Sequence, residues 1–106
     1  MKQGRGLREL DDIERVFKAL AHPARRQILI VLNARGGTMT AGDIANRFSC
    51  KWPTTSRHLR QLEEAGLVKV EKQGREWVYG LNRERILDVA GKWVDWFNPS
   101  PEGNET

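Results

Sequence analysis

The sequence predicts a mainly helical fold of the α+β class, with about five helices and a two-stranded β-hairpin in 106 residues. Three observations predict it. Apolar residues recur at three- and four-residue spacing through most of the chain. Strict alternation occurs around Gln73-Gly74, in LVKVEKQGREWVYGL. Proline, glycine and short polar residues punctuate the segments between. A chain of this length makes one domain. It is expected over residues 8–98, with a flexible tail at 1–7 and a disordered polar tail at 99–106.

The elements follow in order. RELDDIERVFKALA, from Arg8 to Ala21, places Ile13, Val16, Phe17 and Leu20 at helical spacing, and its early acids suit a helix N-terminus. His22-Pro23 interrupts it, and Pro23 fits the first turn of a second helix, PARRQILIVLNA, with Ile28, Leu29, Val31 and Leu32 inward. ARGG ends that helix. Thr38-Met39-Thr40 has the composition of a very short strand. Thr40 then caps a third helix, AGDIANRF, in a capping-box arrangement with Asp43, with Ile44, Ala45 and Phe48 inward. After the turn SCKW comes a fourth helix, WPTTSRHLRQLEEAG, so two short helices stand in helix-turn-helix order. The hairpin follows, with Val68, Val70, Val78 and Leu81 expected on one face. Asn82 caps a last helix, RERILDVAGKWVDWF, which Asn98-Pro99 stops.

The net charge is +4, and its distribution is more informative than its size. From Arg47 to Arg75 there are seven Lys or Arg residues against Glu63, Glu64 and Glu71, so this stretch carries the whole excess. Within it the fourth helix puts Thr55, Leu59 and Leu62 on one face at about 100° per residue. Lys51, Trp52, Thr54, Ser56, Arg57 and Arg60 crowd the front and flanks, and the acids sit at the back. A recognition helix meets base edges in the major groove with its N-terminal residues. Arg pairs with guanine, and Ser or Thr serves several bases. Lys72 and Arg75 flank the hairpin tip, where a wing touches phosphates or the minor groove. The elements together read as a winged helix-turn-helix that binds double-stranded DNA.

FKALAHPARRQILIVL, TAGDIANRF and WPTTSRHLRQLEEAGLVKVEKQGREWVYGL, in this order and spacing, resemble the ArsR family of bacterial repressors over about residues 10–97. The resemblance implies a homodimer, built from the first and last helices, on a palindromic operator. It implies Trp52, Thr54, Ser56 and Arg57 as recognition positions and Gly74-Arg75 as the wing tip. It also makes the departures informative. Metal-sensing members carry Cys-x-Cys-Asp on the third helix, where this chain has Thr40 and Gly42 ahead of Asp43. Others use Asp and His on the last helix, which here offers Asp88 and Asp95 without a histidine. No metal or other cofactor is expected. The closing GREWVYGLN and Trp93-x-x-Trp96-Phe97 look most like the metal-independent autorepressors of the family.

The last helix is apolar around more than half its circumference, through Ile86, Val89, Ala90, Trp93, Val94, Trp96 and Phe97. One side covers the core and the rest calls for a partner, most simply a second copy. With the first helix that the resemblance implies at the interface, the expected dimerisation set is Ile13, Phe17, Val89, Trp93, Trp96 and Phe97. No catalytic Ser/His/Asp or Cys/His set and no phosphate loop occurs, so an enzyme is not expected. The absence of an apolar run of membrane-spanning length and the single cysteine point to a cytoplasmic protein. His22 reads as a satisfied junction residue and His58 as a packed residue bonding backbone. Cys50 is expected to be inert, and Trp52 either stacks on the DNA backbone or covers the turn. Two further readings stay open: a repressor released by a small hydrophobic ligand at the dimer interface, and a winged helix that docks proteins without DNA. No inducer is legible.

Overall fold

The computed structural model describes residues 3–49 and 51–99, with side chains from residue 10 onward. Cys50 and the tail from Ser100 lie outside the described residues. Five helical stretches occur in the predicted order: α1 (Gln3–Leu20), α2 (Pro23–Ala34), α3 (Ala41–Arg47), α4 (Trp52–Glu64) and a C-terminal stretch that opens with α5 (Arg83–Ile86). Helix α1 begins five residues ahead of Arg8, because neither a cap nor a proline stops the polar run before it. The C-terminal stretch is not one regular helix. A π-helical turn (Leu87–Gly91) separates α5 from α6 (Lys92–Asp95).

Local chemistry sets the helix ends. The His22 imidazole Nδ1 accepts from the Ala24 amide at 3.2 Å at the start of α2. The Thr40 hydroxyl accepts from the Asp43 amide at 3.0 Å at the start of α3, and the Asn82 side-chain Oδ1 accepts from the Arg85 amide at 3.2 Å at the start of α5. Each satisfies an N–H that the first turn would leave unpaired. At the far ends of α2 and α4 the chain closes through a glycine at positive φ. Gly36 (φ 88°) and Gly66 (φ 78°) let the amides of Gly37 and Leu67 reach back to the carbonyls of Leu32 and Leu62.

The short strand expected at residues 38–40 joins the hairpin, so the sheet has three strands. β1 (Thr38–Thr40) adds to β2 (Val68–Gln73) and β3 (Glu76–Leu81) in the antiparallel order β1-β3-β2, with Met39 opposite Tyr79. The hairpin loop is Gly74-Arg75, between the pair Gln73 and Glu76, and Gly74 takes φ 64° as the first position of such a turn. A two-residue loop pairs even positions of β2 with odd positions of β3. Val68 therefore faces Leu81, Val70 faces Tyr79, and Val78 shares the opposite face with Glu71. The expectation that Val78 joins Val68 and Val70 fails on this parity.

The core gathers Val16 and Ala19 of α1, Ile28, Leu29 and Leu32 of α2, Met39 and Ile44, Leu59 and Leu62 of α4, and Leu67, Val68 and Val89. Ile44 is fully buried, but Ala45 faces solvent, so the inner face of α3 is narrower than predicted. Arg85 ties three elements together. Its Nη atoms donate to both carboxylate oxygens of Asp12 on α1, at 3.1 and 3.4 Å, and its Nε donates to the Ala65 carbonyl at the end of α4. Helix α4 is thus anchored at its back end.

Candidate nucleic-acid interface

The buried face of α4 consists of Thr55, Leu59 and Leu62, as the 100° rotation requires. With that face fixed in the core, Pro53, Arg57 and Arg60 point outward and Thr54 and Ser56 lie half-buried on the flanks. The front of the helix is unusual. Lys51 occupies the N-cap with extended backbone and offers no side-chain cap, and Pro53 brings no N–H. The Lys51 carbonyl accepts from Thr54 and Thr55 at 3.0 and 3.1 Å. The positive end of the helix dipole and the Lys51 ammonium therefore face the same solvent. Trp52 is 38% exposed at the first helical position.

The wing supplies a second cationic element. β2 packs on α4, and the strands carry the chain out to Gly74-Arg75. Lys72 and Arg75 are exposed there, as are Lys51, Arg57 and Arg60 on the helix. Among the described residues the ion pairs are Arg85–Asp12 and Lys92–Asp88, so none of these five cations is neutralised by a carboxylate there. Glu63 and Glu64 sit in the last turn of α4, away from its front. Tyr79 holds its phenol above the ordinary range, first through burial and then through the Glu63 charge. A surface of five such cations, two half-buried hydroxyl side chains and a free helix N-terminus suits a polyanion with polar edges to read.

His58 departs from its predicted role. Among the described residues its side chain bonds no backbone; its ring lies 4.4 Å from that of His22, and Arg25 Nη1 is 3.4 Å from its Nδ1. Arg25 is itself held by the carbonyls of Ala19 and Lys18. Burial pushes the His58 pKa down, and the positive neighbours His22, Arg25 and Arg57 push it further. Nothing in local spacing signals this cluster, because Arg25 and His58 stand 33 residues apart on different helices.

The predicted dimerisation set divides. Val89 is only 8% exposed and belongs to the core of its own chain, so the expectation that it meets a partner fails. Ile13 and Phe17 are half-buried, and Phe17 packs edge-on against Trp93 with centroids 5.2 Å apart. The reason is that α1 lies along the π turn within one chain and covers this side of the C-terminal stretch. Trp93 in turn meets Phe97 at 5.1 Å. Trp96 and Phe97 remain open, together with Leu87, Val94 and Ile30. Ile30 and Leu87 also line an open, mainly apolar groove of about 430 Å³ with Leu20, Leu29, Leu81 and Ile86, rimmed by Arg26, Asn33 and Arg83. Among the described residues no three His, Cys, Asp or Glu side chains are gathered for a metal ion. Among the same residues no helix is long and apolar enough to cross a membrane.

Comparison with known proteins agrees with this geometry. A family model described as a helix-turn-helix domain matches residues 20–71. The chain is 39% identical over 83 residues to the transcriptional repressor SdpR of Bacillus subtilis, across 78% of this chain and 90% of that protein. It is 33% identical over 92 residues to the arsenical resistance operon repressor of Staphylococcus xylosus, across 87% and 86% of the two chains. Among solved structures, it resembles the homodimeric winged helix-turn-helix DNA-binding domain of a possible ArsR-family transcriptional regulator from Mycobacterium bovis. That match has a TM-score of 0.67 and 31% identity over 80% of this chain and 78% of the other.

Proposed function

The chain belongs to the ArsR family of winged helix-turn-helix, DNA-binding transcriptional regulators, and on that premise we propose that it is a homodimeric repressor that holds a palindromic operator and needs no metal. The observation that carries the reading is the cationic front of α4, continued by Lys72 and Arg75 on the wing. In this reading Thr54, Ser56 and Arg57 meet base edges, while Lys51, Arg60, Lys72 and Arg75 meet phosphates. Trp52 lies against the sugar-phosphate edge beside Lys51. Two copies related by a two-fold axis present two recognition helices, so the operator repeats with the symmetry of the protein.

Dimerisation is supported by the exposed Leu87, Val94, Trp96 and Phe97, large apolar side chains left open along the C-terminal stretch. Phe17 and Trp93 brace that surface from within each chain. Independence from metal is supported by Thr40 and Gly42 at the cysteine positions of the metal-sensing motif and by a C-terminal stretch without histidine.

The test is selection of bound duplexes from a random pool, followed by affinity measurements over a range of salt. A palindromic consensus with half-sites about one helical turn apart, and a steep negative salt slope, is the expected result. A direct repeat, or binding indifferent to sequence, would refute it. A second reading, release of DNA by a small apolar ligand, is favoured by the groove between α2 and the C-terminal stretch. Quenching of tryptophan fluorescence by such a ligand, with loss of operator binding, would distinguish it.

A further inference from the structure

One aromatic ring on the wing is left with no core to fill. Trp77 is 49% exposed, and it sits directly opposite Lys72 across the hairpin. The Lys72 ammonium lies 5.5 Å from the centroid of its ring, inside the range of a cation–π contact. The strand register puts this pair on the same face as Val68, Tyr79 and Leu81, the face that packs on the helices. The acids of the hairpin fall on the other side. Glu71 and Glu76 share the outer face, where Gln73 Nε2 donates to Glu71 Oε1 at 3.4 Å. Both acids thus share one face with Lys69, and the face on the side of α4 carries a cation and an aromatic ring without an acid.

We propose that Trp77 is a positioning residue of the wing, whose ring holds the Lys72 ammonium in place for a phosphate of duplex DNA. The proposal rests on the DNA-binding reading. A lysine on a free four-carbon stem samples many rotamers before it meets a phosphate. An ion pair with Glu71 or Glu76 would narrow that search but would cancel the charge. The ring narrows it and leaves the charge intact, with the ammonium donors turned away from the indole still free. The same pairing explains a half-exposed tryptophan one residue from the polar tip of the hairpin strand.

The experiment compares Trp77→Leu, Trp77→Phe, Lys72→Met and the Trp77→Leu/Lys72→Met double variant, using the full chain and the selected operator duplex. Trp77→Leu is expected to weaken binding about two- to five-fold, the range of an exposed cation–π contact. Trp77→Phe, which keeps a ring, should stay near the unmutated protein. Lys72→Met should lower the salt slope by about 1 for each phosphate that the lysine neutralises. In the Lys72→Met background the further loss from Trp77→Leu should vanish. In the free protein, the Lys72 ε-methylene protons should show an upfield ring-current shift that Trp77→Leu abolishes and Trp77→Phe retains. Equal losses from Trp77→Leu in both backgrounds, with DNA binding intact, would overturn this proposal alone, as would a missing ring-current shift in the unmutated protein. Absence of salt-dependent duplex binding by the unmutated protein would overturn the DNA reading and this proposal with it.

Discussion

Trp96 is the sharpest probe of the dimer, because it is the most exposed large apolar side chain among the described residues, at 83%. Its indole contributes little to the single chain, so Trp96→Ala should leave folding stability within about 0.5 kcal/mol. Against a partner the same ring is worth far more. Covering a large apolar side chain contributes roughly 1.5–3 kcal/mol, and a two-fold interface counts each residue twice. The variant should therefore lose about 3–6 kcal/mol per dimer, which at about 1.4 kcal/mol per decade raises the dimer Kd by about 10²–10⁴-fold. A dimer that is intact at micromolar concentration then falls apart. Sedimentation equilibrium across the micromolar range checks this. The unmutated protein should run near twice the chain mass of 12.2 kDa, and the variant near that mass itself. A urea melt run alongside should show no change in midpoint. Trp93→Ala is the contrast, since it also removes the edge-on packing with Phe17 and should destabilise the fold. Dimerisation of Trp96→Ala as tight as that of the unmutated protein would refute the assignment of the interface to this end of the chain.

On the DNA side, Arg57→Ala should cost about 1–3 kcal/mol on the operator and relax preference at one base pair per half-site; equal losses on operator and random DNA would make Arg57 a phosphate ligand. Arg75→Ala should weaken binding to all duplexes and lower the salt slope by about 1 for each phosphate left without its cation, and an unchanged slope would place the wing tip in solvent. His58 is held below its ordinary pKa, so the folded state binds fewer protons there than the unfolded chain. Its contribution to stability is full above the ordinary imidazole value, about 6.5, and is lost as pH falls through that value toward the lowered one. Urea midpoints at pH 7.5 and 5.5 should accordingly differ less in His58→Gln than in the unmutated protein. Micromolar zinc, cadmium or arsenite should leave operator affinity unchanged, and release at stoichiometric metal that persists in Cys50→Ser would reveal a ligand set elsewhere.

What the sequence determined by itself was whatever depends on neighbours within about four residues. Helix order, the caps at Thr40 and Asn82, the glycine closures at Gly36 and Gly66, and the Thr55–Leu59–Leu62 face of α4 are all of this kind. Each rests on a donor, a dihedral or a helical repeat that short segments carry wherever they sit. With α4 oriented by its buried face, the exposure of Arg57 and Arg60 followed without further information. What only the tertiary structure decided were contacts between segments distant along the chain. The short strand at residues 38–40 was legible, but its pairing with β3, Met39 opposite Tyr79, was not. The meeting of His22, Arg25 and His58, and the Arg85 clamp between Asp12 and Ala65, leave no trace in local spacing. The apolar stripe of the last helix showed more surface than one core needs, but not which residues α1 would cover. That depends on where α1 lies, and its packing takes Val89 and part of Trp93 inward and leaves Trp96 and Phe97 outside. Periodicity encodes how much of a helix is apolar, whereas the partner of each apolar position is set by the three-dimensional packing of the whole chain.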